Sequence, residues 1–182
     1  MIRVPMICLV LVVAVSVSRA DVESGPKAGE KIAELKVTNI VGDFEGKEVD
    51  FAKERKDAPT VYIFVNADKF DRPMARLLKA LDGKIGDVDE KAKVVIVWIG
   101  GEDDALKKRL PAIQMSLKFE KSSMSLYTAD KTGPNGWGLN GDAHLTVVVA
   151  NKAKVAKSFA YTTVNETDEK DVTAALKKAV GK

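Results

Sequence analysis

Few side chains in this 182-residue chain could do chemistry, and His144 is its single histidine. Imidazole is the one side chain whose ordinary pKa lets it trade protons near neutral pH. A carboxylate beside it would raise that pKa and could orient the ring as an acid or base. Asp142 is close to it in sequence, and Asp68 and Asp71 stand in a second stretch, "ADKFDRPMAR". One histidine with two or three aspartates could also hold a divalent cation weakly. No Ser or Thr has a convincing adjacent base to make a nucleophile of it. Cys8 is the only cysteine.

Asp71 has a plainer role as well. It precedes "RPMARLLKALDGKI", in which Met74, Leu77, Leu78, Leu81 and Ile85 recur at helical spacing. An aspartate there caps the first turn, and Pro73 suits a position whose N–H would be unpaired anyway. The run before it, "TVYIFVN" (60–66), is β-branched and aromatic on both parities, as in a strand buried on both faces. "AKVVIVWIG" (92–100) reads the same way, and Trp98 belongs to its core side. Residues 102–117 are helical, with Leu106, Leu110, Ile113 and Leu117 on one face and a kink or restart at Pro111.

The remaining segments complete an alternating pattern. "AELKVTNIVGDFEGKEVDF" suggests a hairpin around Gly42 and Gly46, and "KERKDAP" a loop. "SMSLYTAD" holds a short strand, and "KTGPNGWGLNGD" is a glycine-rich loop carrying Trp137. "HLTVVVA" (144–150) and "KVAKSFAY" (154–161) form a tight antiparallel hairpin before a last helix over 167–180. "NET" at 165–167 is a formal glycosylation sequon, although Asn165 or Thr167 as a helix cap is the plainer reading. Two βαβ passages force parallel pairing, and the hairpin adds antiparallel strands. A mixed sheet with helices on both faces follows.

The ends are of different character. "MIRVPMICLVLVVAVSVSRA" (1–20) has a positive start, an apolar middle and small residues at Ser18 and Ala20, as in a secretory signal peptide. Residues 21–31, "DVESGPKAGEK", read as a flexible lead-in. Losing Arg3 and Arg19 with residues 1–20 turns 29 basic and 26 acidic side chains into 27 and 26, a net charge of +1. No basic stripe with interleaved aromatics is present, which speaks against nucleic acid as a partner. The expected product is exported, periplasmic or extracellular, free of cysteine and of membrane spans.

The order of elements and three stretches of sequence resemble the thioredoxin-like superfamily, in particular its peroxiredoxin-like or redoxin branch of secreted bacterial proteins. "GKEVDFAKERKDAPTVYIFV" is similar to that family's lead-in to the first core strand. "FDRPMAR" stands where the family has W-C-x-P-C. "HLTVVVANKAKV" is similar to its P-T-x-x-x-x-D-x-x-G-K-V segment, which contains a cis-proline. The resemblance covers most of residues 28–180. It implies an α/β fold over 32–182: a thioredoxin-like three-layer α/β/α sandwich with a mixed central sheet and an N-terminal β-hairpin extension. It also implies that His144, at the cis-proline position, lies beside the helix start that carries Asp71.

The departures from the family decide the functional reading. Pro73 is kept, but Asp71 and Met74 occupy both cysteine positions, and Ala150 and Ala153 replace the turn Asp and Gly. The family reaction starts from a thiolate at a helix N-terminus. Asp71 cannot attack a disulfide, and Met74 can only be oxidised to a sulfoxide. The sequence therefore predicts a redox-inactive module that needs no cofactor. It would bind a protein or peptide by β-addition on the face formed by Asp71, Arg72, Pro73, Trp137 and His144. Trp137 could equally pack over the core edge, and Arg72 and Arg76 could meet an anionic partner or remain solvated. One alternative is a thiol-independent site using Asp71 and His144, with or without a metal. Another is a thiol oxidoreductase, which would require Cys8 to remain on the chain.

Overall fold

The computed structural model describes residues 22–100 and 104–182. The predicted signal peptide, with Cys8, lies outside the described residues. The chain runs β1 (Lys36–Val41), β2 (Glu48–Asp50), α1 (Phe51–Glu54), β3 (Thr60–Asn66), α2 (Arg72–Val88), β4 (Lys93–Ile99), α3 (Asp104–Leu117), β5 (Ser122–Tyr127), β6 (Leu145–Asn151), β7 (Lys154–Tyr161) and α4 (Glu169–Val180). The seven strands form one sheet in the order β2-β1-β5-β4-β3-β6-β7. β3, β4 and β5 are parallel, and the hairpins β1–β2 and β6–β7 flank them antiparallel.

The central strands are buried on both sides, as their unbroken apolar runs require. Alternate residues of β3 enter different cores: Val61, Ile63 and Val65 one, Tyr62 and Phe64 the other. The first core is covered by the long helices, through Met74, Leu77 and Leu81 of α2, Leu106 and Leu110 of α3, and Val172 and Leu176 of α4. The second is covered by Phe51 and Ala52 of α1 and by Trp137 from the loop after β5. Helices lie on both faces, but the second helical layer is a single turn, completed by a glycine-rich loop. That turn, capped by Asp50, takes up part of the segment that reads as a loop in the sequence.

Local chemistry fixes the ends of these elements. Asn165 caps the 3-10 turn Glu166–Asp168 ahead of α4, and the Asp168 carboxylate accepts its N–H in return. This is the cap that "NET" suggested. Asp82, buried on α2, accepts the backbone N–H groups of Glu120 and Lys121 and the Ser122 hydroxyl, which ties the start of β5 to the helix. α3 continues through Pro111 without restarting, because that residue faces solvent, where an unpaired carbonyl meets water.

The lead-in differs from the flexible segment its composition suggests. The Ser24 hydroxyl is 2.6 Å from that of Thr146, Gly25 donates to the Gly138 carbonyl, and Ser158 donates to the Pro26 carbonyl. Gly29 donates to the Val155 carbonyl and Val155 to the Glu30 carbonyl. Composition could not reveal this because the partners lie more than a hundred residues away in sequence. The segment pairs part of β7, an edge strand that would otherwise present free backbone groups.

Candidate functional site

The site is built at the C-terminal end of β3. Asn66 closes that strand and its side chain accepts the Asp68 N–H, turning the chain into the 3-10 turn Ala67–Lys69. Phe70 then lays its ring edge-on against Trp98, with centroids 4.6 Å apart, and the Arg109 guanidinium sits 5.7 Å above Phe70. This aromatic seat was not singled out by sequence reasoning. Its signal was an aromatic in the place of the W of W-C-x-P-C.

Asp71 has extended backbone, and its Oδ1 accepts the Met74 N–H at 2.9 Å. Pro73 occupies the first turn, as expected. Asp71, Arg72 and Pro73 are exposed, whereas Met74 is 1% exposed and belongs to the core. The position of the family's first cysteine is thus a solvent-facing helix cap, and that of the second is a packed apolar side chain.

His144 reaches the same end of the sheet. Its carbonyl accepts the Asn66 N–H at 3.1 Å, and its own N–H donates to the Tyr161 carbonyl at 2.8 Å. The strand end that leads to Asp71 and the strand start that carries His144 are therefore neighbours. Among the described residues, no hydrogen bond or ion pair joins the two side chains, and every peptide bond is trans. The half-buried His144 follows an Asn140–Ala143 turn in which Asn140 Oδ1 accepts the Asp142 N–H.

Three expectations need correction. Trp137 is fully buried, packed at a tilt against Tyr62 and Phe64 with ring centroids 5.1 Å and 4.8 Å away, and its indole N–H donates to the Glu34 carbonyl. It fills the second core and offers no partner surface. β-Addition beside His144 lacks its donor, because the residue's N–H and carbonyl are both engaged by neighbouring strands. The metal alternative also loses its basis, since no three His, Cys, Asp or Glu side chains converge among the described residues. The structure thus exposes Asp71, Arg72 and Pro73 at the start of α2, beside the Phe70–Trp98 pair, and brings the His144 backbone to the end of β3 that leads there.

No family model matches the chain. No curated protein matches it either. Solved structures do. A putative protein disulfide isomerase from Bacteroides thetaiotaomicron is 14% identical, with a TM-score of 0.63 over 88% of this chain and 96% of its own. A peroxiredoxin-like protein from Aquifex aeolicus is 18% identical, with a TM-score of 0.61 over 87% and 91%. The exposed lipoprotein thioredoxin Etrx1 of Streptococcus pneumoniae is 12% identical, with a TM-score of 0.58 over 80% and 99%. These likenesses show that the chain has a thioredoxin-like fold.

Proposed function

We propose that this is an exported thioredoxin-like domain without thiol chemistry, which binds a protein or peptide through the face around Asp71, Arg72, Pro73 and His144. The observation that carries the reading is the bond from the Met74 N–H to Asp71 Oδ1. A catalytic position would leave the helix N-terminus free to stabilise a thiolate. Here a carboxylate occupies it permanently, and the second position is closed off in the core. Recognition would rest on side chains and on the shape of the helix start, not on strand pairing.

The test begins with protein recovered from the exporting cell. Intact mass after treatment with iodoacetamide should give a chain starting at Asp21 with no alkylated site. Disulfide reduction and peroxide turnover should stay at the buffer rate. A photo-crosslinking residue in place of Arg72 should capture a partner, while one at Lys84, on the far half of α2, should not. Thiol-dependent turnover, or equal capture at both positions, would overturn the proposal.

A further inference from the structure

Beyond its cap, α2 presents a groove of about 460 Å³, lined by Arg72, Ala75, Arg76, Lys79, Leu117 and Glu166. Its floor is apolar, from Ala75 and Leu117, and its wall carries three cations on successive turns of the helix. Lys79 is already engaged, donating to the Lys118 carbonyl and lying 3.6 Å from Asp82. Arg72 and Arg76 are exposed and have no ion pair or side-chain hydrogen bond among the described residues. From Asp68 to Ala80 the chain has four cations (Lys69, Arg72, Arg76, Lys79) against two carboxylates (Asp68, Asp71), a net +2. Asp71 is committed to its cap, and Glu166 is the one acid in the groove.

We infer that this groove docks an acidic, amphipathic peptide segment of a partner protein. Arg72 and Arg76 are four residues apart and so one helical turn apart on the same face. Guanidinium forks pair with carboxylates bidentately, and Arg is the residue suited to that geometry at an interface. The apolar floor calls for a Leu-like or Met-like anchor between those carboxylates. A free phosphate would use the arginines and leave the floor empty. A membrane surface would not fill a groove flanked by the 3-10 turn at Glu166. The inference rests on the reading that the start of α2 is the working face, and it names what that face would take.

The probe is a synthetic helical peptide with Glu at i and i+4 and Leu on the same face. Its controls are a scrambled peptide of equal charge, inorganic phosphate, and phosphatidylglycerol vesicles. Amide shifts of the protein locate each contact. The expected result is saturable binding of the patterned peptide, with shifts at Ala75, Arg76 and Leu117. Arg72→Gln with Arg76→Gln should weaken it about fivefold to tenfold at low salt. These side chains are exposed, and the variant's own amide spectrum checks that it is folded. Equal response to the scrambled peptide, phosphate or vesicles would overturn the inference, as would shifts that fall elsewhere. If the groove stays silent while a crosslinker at Arg72 still captures a partner, this inference fails and the broader reading stands. If the peptide binds in a protein that turns over thiols, the reverse holds.

Discussion

Asp71 Oδ1 accepts the backbone N–H of Met74 at 2.9 Å, so the two residues at the family's cysteine positions are joined by a helix cap. The cap uses the same positive helix end that lowers the pKa of a catalytic thiol elsewhere. Here the Asp71 side chain takes up that helix end.

The carboxylate can be replaced by a thiol at the same position. Asp71→Cys should give a thiol with a pKa below the free value of about 8.5, because the helix N-terminus and Arg72 favour the thiolate. The pH dependence of alkylation by iodoacetamide reads it directly. Loss of the cap should cost about 1 kcal/mol of stability, as it would in Asp71→Ala. A thiol that titrates at or above the free value would mean the helix end no longer acts on this position.

Trp137 should matter for stability and not for recognition. Trp137→Ala empties a fully buried site against Tyr62 and Phe64 and should cost about 3–5 kcal/mol. Trp137→Phe keeps most of the packing, loses the bond to the Glu34 carbonyl, and should cost less. Urea unfolding separates the two. A near-neutral Trp137→Ala would contradict the role of this ring in the second core.

Alkaline stability should depend on Tyr62. Burial pushes its phenol well above the ordinary tyrosine range, and its hydroxyl donates to the Phe51 carbonyl. The folded state therefore favours the neutral phenol. That contribution is complete below the unfolded pKa of about 10 and is lost as pH climbs above it. Tyr62→Phe should cost about 1 kcal/mol at pH 7 and flatten the fall in stability above pH 10. Melting curves at pH 7, 10 and 11 would decide, and parallel losses in both proteins would refute the assignment.

The β6–β7 turn stores strain that can be relieved. Lys152 and Ala153 both have positive φ, at 50° and 58°. A two-residue hairpin loop of this hand favours Asn-Gly, and L-residues other than glycine and asparagine tolerate it poorly. Ala153 stands where the related segment has glycine. Ala153→Gly should stabilise the protein by about 0.5–1 kcal/mol, net of the extra freedom of the unfolded chain. Thermal unfolding measures it, and a destabilised variant would contradict the strain.

Much of the architecture could be read without coordinates because its causes are local. β3 declares itself by an apolar run on both parities, and α2 by Met74, Leu77, Leu78, Leu81 and Ile85 behind a capping aspartate. The two parallel passages follow from strand, helix and strand in succession. Trp137 was ambiguous, because a glycine-rich loop permits a buried or an exposed ring equally. The lead-in was misleading, because its polar composition hides side-chain and backbone hydrogen bonds to β6, β7 and the loop between β5 and β6.

By itself the amino-acid sequence determined most element types, the helix cap, and the absence of a thiol from both positions at the start of α2. Periodicity, capping and residue identity need no distant partner. The tertiary structure alone decided that Trp137 turns inward onto Tyr62 and Phe64, and that the His144 backbone is consumed by Asn66 and Tyr161. It alone decided that Arg72 and Arg76 line an open groove together with Leu117 and Glu166. Each of these joins residues far apart in the chain, and such contacts exist only once the strand order of the sheet has brought their elements together.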